Sequence, residues 1–140
     1  MRTSKKAVER FNEHWNGNDF DIVLNQSLIM LEGDSGTGKS YLADVMSNYK
    51  DKYNIQVYDY RWESRKQDIE QDIKSRKGYL FVIDNADLLL DDRLRDIIVR
   101  DLMNNQYLLM GRDPRGLHIL ARNIRVLRFR DNKFVLEQEE

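Results

Sequence analysis

The chain has no cysteine, one proline and two histidines among its 140 residues. Without thiols it has no disulfide, no thiolate nucleophile and no cysteine-held metal. His14 and His118 stand far apart, and are read as ordinary polar residues rather than a ligand pair. Apolar runs such as LFVI and LLL fall far short of a bilayer span, so no membrane partner is expected. No sign of charge prevails, since 23 basic and 24 acidic side chains leave a net charge of −1. Overall charge therefore argues for neither nucleic acid nor an anionic surface as partner. The start, MRTSKKAVERFNEHW, has basic residues with no apolar stretch behind them. It is not a secretory signal, and a cytoplasmic location is the expectation.

What is present fits a single domain over residues 1–140, with 41% hydrophobic residues to build a core. No Ser/Gly-rich linker, internal repeat or low-complexity segment divides it. Residues 5–15 predict a helix with Val8, Phe11 and Trp15 on one side. FDIVLNQSLIMLE then reads as a short strand, a turn at Asn25-Gln26 and a buried strand ending near Glu32. Residues 39–50 suit a helix burying Leu42, Val45, Met46 and Tyr49. IQVYDY reads as a strand, followed by a charged helix carrying Ile69 and Ile73. YLFVID is a continuous apolar run, as expected of a strand covered on both faces. A helix over 91–104 turns Leu94, Ile97, Ile98 and Leu102 inward, and QYLLMG supplies another strand. Asp113-Pro114 has the form of an N-cap and first helical residue. IRVLRFR and KFVLEQ close the chain as a hairpin about Asp131-Asn132.

Strands alternating with helices predict a three-layer α/β fold, with a mainly parallel sheet, helices on both faces and a C-terminal β-hairpin. Ligands of such sheets sit beyond the carboxyl ends of the strands. That directs attention to Gly33–Ser40, Asp59–Glu63, Asp84–Asp87 and Arg112–Arg115.

Gly33–Ser40, GDSGTGKS, satisfies G-x-x-x-x-G-K-[ST] at each fixed position, between a predicted strand and a predicted helix. Glycines let successive N–H groups turn inward around a phosphate, and the helix start adds its positive dipole end. The nucleotide-binding set is Gly33, Asp34, Ser35, Gly36, Thr37, Gly38, Lys39, Ser40 and the following Tyr41. Lys39 would reach the β- and γ-phosphates of ATP, and Ser40 would offer its hydroxyl to Mg²⁺.

GDSGTGKS resembles the Walker A motif of the P-loop NTPases, and YLFVID resembles their Walker B strand. The resemblance implies that Asp84 serves the magnesium ion. The layout of strands and helices is similar to the branch containing AAA+ ATPases, helicases and recombinases. FVIDNAD and NNQYLLMGRDP also resemble small stand-alone P-loop proteins of bacterial mobile elements. Two departures stand out. Too little chain follows Pro114 for the helical lid domain of AAA+ proteins. And the D-E-A-D arrangement of helicases reads Asp84-Asn85-Ala86-Asp87, so a carboxamide occupies the place of the expected general base.

Asp59 and Glu63 are candidate replacements for that base, and Asp87 is nearer in sequence. Asn85 can still orient a water by hydrogen bonding. Arg112 stands where related ATPases carry a polar sensor of the γ-phosphate, with Arg115 close behind. Arg93 or Arg95 is a candidate finger acting across an oligomer. Trp15 and Phe20 are weighed as adenine-stacking aromatics against core residues, and core packing is favoured. No N-K-x-D pattern for guanine is present, which leaves ATP as the default nucleotide.

Three functions follow as expectations. The first is Mg²⁺-dependent ATP binding with slow or partner-stimulated hydrolysis. The second is a nucleotide-dependent interaction module or switch that does not hydrolyse. The third is a small-molecule kinase, against which the C-terminal hairpin argues. A protein partner is expected. A nucleic-acid partner has only the basic C-terminal segment in its favour, without the interleaved aromatics of a single-strand platform.

Overall fold

The computed structural model describes residues 8–32, 38–59, 65–111 and 124–138. Among these, the elements run β1 (Arg10–Trp15), β2 (Asn18–Val23), β3 (Leu28–Glu32), α1 (Lys39–Ser47), β4 (Ile55–Tyr58), α2 (Lys66–Ser75), β5 (Leu80–Ile83), α3 (Ala86–Leu89), α4 (Asp92–Arg100), β6 (Gln106–Gly111), β7 (Ile124–Arg130) and β8 (Lys133–Gln138). The result is an α/β fold on one eight-stranded sheet, ordered β1-β2-β8-β7-β3-β6-β5-β4. From β7 to β4 all neighbours are parallel, as are β2 and β8. The hairpins β1–β2 and β7–β8 are antiparallel.

Alternation along the central strands explains the core. Ile29, Leu31, Leu80, Val82, Leu108 and Met110 join one apolar cluster, with Leu42, Val45 and Met46 of α1. Leu28, Met30, Phe81, Ile83, Tyr107 and Leu109 join the other, with Ile69 and Ile73 of α2, Leu89 of α3, and Leu94 and Ile98 of α4. Successive strand residues point to opposite faces, so an unbroken apolar run serves two helix layers at once. Asp91 caps α4, its side chain accepting the Leu94 N–H at 2.9 Å, which satisfies one of the helix's free donors.

The helix expected over 5–15 is a strand from Arg10 onward, paired with β2 in the register Phe11↔Ile22 and Trp15↔Asn18. Asn16 and Gly17 turn the chain with φ of 53° and 83°, the conformation that Asn-Gly favours in a tight hairpin. Phe11 and Phe20 are fully buried. Trp15 lies edge-on to Tyr49, just past the C-terminal end of α1. Packing thus accounts for Phe20, and Trp15 sits at the end of α1 remote from Lys39. The helix expected over 91–104 ends at Arg100, and the single turn α3 precedes it. The hairpin at Asp131-Asn132 is as expected, with φ of 53° and 60°. Among the described residues no helix is long and apolar enough to cross a membrane.

Candidate functional site

The carboxyl ends of β3, β6, β5 and β4 lie side by side. Glu32 pairs with Gly111, Ile83 with Leu109 and Tyr58 with Ile83. α1 starts at this edge. Gly38 stands at its N-cap with φ 97°, a value that strains any residue with a Cβ. A Cβ there would also come within 3.1 Å of the Phe134 ring. Conformation therefore calls for glycine at position 38, and a side chain there would also press on the Phe134 ring.

Lys39 and Asp84 are each only 7% exposed, and charged groups are rarely buried so far without partners. Across 44 residues of sequence, Ser40 Oγ donates to Asp84 Oδ2 at 2.8 Å. The other carboxylate oxygen, Oδ1, accepts the backbone N–H of Asn85 at 3.0 Å. The Asp84 N–H in turn donates to the Tyr58 carbonyl at 2.7 Å, so the carboxylate stands on backbone fixed by the sheet. A hydroxyl and a carboxylate this close are both oxygen donors, the set a hard divalent cation prefers. Among the described residues no cluster of three or more His, Asp or Glu forms a metal cage. A magnesium ion held by one or two side chains, phosphates and water needs none.

The three acids near this edge are now distinguished. Tyr58 and Ile83 face the cluster of α2, α3 and α4, and the next residue after Ile83, Asp84, turns to Ser40 at the start of α1. Asp59 follows Tyr58, the last residue of β4 paired with β5. Asp87 lies elsewhere. Its Oδ1 is 3.0 Å from where a Cβ on Gly111 would stand, beside Met30 Cε, on the opposite face of β6. Asn85 has φ 54°, a left-handed conformation that asparagine tolerates better than most residues. Its carbonyl accepts the N–H of Leu88 and of Leu89 as α3 begins.

The arginines also separate. Arg93 makes a bidentate pair with Glu70, at 2.8 and 2.9 Å, and Arg95 pairs with Asp92. Arg93 and Lys74 together hold the Glu70 carboxyl down at about 2. A cavity of about 350 Å³ between α2 and α4 is floored by Ile73 and Ile97 and bordered by Arg93, but no motif residue lines it. Gly33, Asp34, Ser35, Gly36, Thr37, Glu63, Arg112, Asp113-Pro114 and Arg115 lie outside the described residues.

Three relationships were not foreseen from sequence: the Asp87–Gly111 contact, the left-handed Asn85, and the hairpin ring of Phe134 against Gly38. The first and third join distant segments, and no local pattern marks them. The Asn85 conformation had a weak signal, an asparagine between a strand and a helix.

No protein-family model and no curated protein matches the chain. Among solved structures, it is similar to one chain of a model of ribosome-bound archaeal Pelota and ABCE1. The TM-score is 0.48 at 10% identity, over 98% of this chain and 34% of that one. This chain thus spans about a third of the other's length, and similarity at this level establishes neither a shared partner nor shared chemistry.

Proposed function

We propose that the chain is a P-loop protein that binds ATP with Mg²⁺ and hydrolyses it slowly, or when a partner stimulates it. The observation that carries this reading is the Ser40–Asp84 hydrogen bond. It joins the ends of the two motifs at the carboxyl edge of a parallel sheet, where ligands of such folds bind. The strand order supports it: β6 separates the two motif strands, β3 and β5.

In this reading the cradle from Gly33 to Ser40 holds the phosphates, and Lys39 places its charge against the β- and γ-phosphates. Ser40 and Asp84 are the residues that would hold Mg²⁺. When bound, the ion would neutralise charge developing on the transferred phosphoryl group. Asp59, just after β4 and next to the strand that leads to Asp84, is the candidate for receiving the water's proton. Asn85 can hold that water but cannot deprotonate it. A site with asparagine in place of the glutamate beside Asp84 fits slow turnover.

Thermal-shift titration of wild type and Lys39→Ala with Mg-ATP tests the reading. Wild type should gain stability with rising ligand, and Lys39→Ala should lose most of that gain while keeping its own fold. Equal ligand-induced shifts in both proteins would remove the phosphate cradle from the site.

A further inference from the structure

Resting on the nucleotide-binding reading above, we infer that the C-terminal hairpin carries the nucleobase platform. Phe129, backed by Phe134, stacks the base on the side of the cradle away from Asp84.

β7 pairs with β3 only as far as Val126 opposite Glu32, yet it continues to Arg130. At a strand rise of about 3.3 Å per residue, Phe129 stands roughly 10 Å beyond the level of Glu32. The hairpin is therefore a wall rising past the sheet edge from which the phosphate loop departs. Phe134 is its fixed part. It is buried, stacks on Phe20 with centroids 4.9 Å apart and planes 9° apart, lies 5.9 Å from Tyr41, and comes within 3.1 Å of where a Cβ on Gly38 would stand. Phe129 rests on Phe134 at 4.5 Å, with 49% of its surface still exposed. Contact with Phe134 explains the covered part of the ring and leaves the exposed half unexplained.

The direction of the ligand supplies the explanation. Asp84 ends β5, two strands from β3 on one side, whereas β7 and β8 lie on the other. A nucleotide with its terminal phosphates among Lys39, Ser40 and Asp84 must send its base away from Asp84, across the start of α1. That path leads to the hairpin. Arg128 and Arg130 alternate with Phe129 along β7 and reach Glu137, at 3.4 and 3.0 Å, so their charges do not cover the ring. A bare phenyl face recognises any base by its π surface and reads no hydrogen-bonding edge.

Isothermal titration with Mg-ATP and with Mg-tripolyphosphate tests this on wild type, Phe129→Ala and Phe129→Leu. The leucine variant keeps an apolar cap over Phe134 but has no aromatic face. Both variants should weaken ATP binding about five- to a hundred-fold, the scale of one lost base–aromatic stack, and leave tripolyphosphate affinity unchanged. If tripolyphosphate binds wild type but ATP affinity is the same in all three proteins, the platform is overturned and the cradle stands. Equal losses for both ligands would also overturn it, by showing that the substitution disturbs the cradle itself. If neither ligand binds wild type, the platform falls together with the nucleotide-binding reading.

Discussion

Ser40 Oγ donates a hydrogen bond to Asp84 Oδ2 at 2.8 Å, and these are the two oxygens proposed above to hold Mg²⁺. Metal binding at this pair must exchange that hydrogen bond for two metal–oxygen bonds. Asp84→Ala should therefore remove most of the difference in ATP affinity between Mg²⁺ and EDTA. Ser40→Ala should weaken metal binding by about 10–100-fold, the usual scale for loss of a supporting group. Calorimetric titrations with and without the ion decide it. Full metal dependence in Asp84→Ala would assign the ion to another acid.

The left-handed backbone at Asn85 sets a second expectation. Glutamate in that conformation costs about 1 kcal/mol more than asparagine, or roughly 3–5 °C in Tm for a domain of this size. Asn85→Glu should thus be less stable, and if Asp59 is the base proposed above it should hydrolyse no faster. Asp59→Asn should lower phosphate release by about 10²–10⁴-fold, the contribution of a positioned base. A faster Asn85→Glu enzyme would show that position 85, not strand β4, limits turnover.

Gly111 and Asp87 offer a test of packing. An alanine methyl at 111 would meet the Asp87 carboxylate at 3.0 Å, and the overpacking should cost about 1–3 kcal/mol. The penalty should shrink when Asp87→Ala is combined with Gly111→Ala, giving a measurable coupling in a double-mutant cycle. Additive effects in urea unfolding would mean the contact relaxes without strain.

Acid should single out Glu70. Arg93 and Lys74 depress its carboxyl from 4.5 to about 2, so the folded state binds that proton less readily than the unfolded chain. The resulting stabilisation is complete above about pH 4.5 and disappears as pH falls toward 2. Glu70→Gln should therefore have a lower Tm than wild type at neutral pH and converge with it through that window. A constant offset across the range would assign the effect to packing. Because the pair is exposed, the difference should also shrink with added salt.

Much of the architecture is legible because several local signals coincide. The apolar runs at Leu28–Glu32 and Leu80–Ile83 must be strands covered twice, and Leu42, Val45 and Met46 repeat at helical spacing. The N-terminal segment misleads because Phe11 and Trp15 share a face in either periodicity; the Asn16-Gly17 turn was the deciding clue. Strand order is a different matter. Nothing local says that β8 pairs with β2, or that β6 lies between the motif strands. The roles of Asp59, Asn85 and Asp87 depend on that order and on one backbone dihedral. Sequence alone could nominate these residues but not rank them.

β2 has two neighbours, β1 and β8, so within the sheet of the described residues the first hairpin joins the other strands through β8. Asp19 of the hairpin and its partner Lys133 are 114 positions apart, so the hairpin is synthesised well before the strand that receives it. Until Lys133–Gln138 emerges, Phe20 has no Phe134 to stack on, and β2 keeps an unpaired apolar edge. Such an edge is a site for pairing with the wrong chain. The pairing of β2 with β8 should therefore be the slowest step in folding.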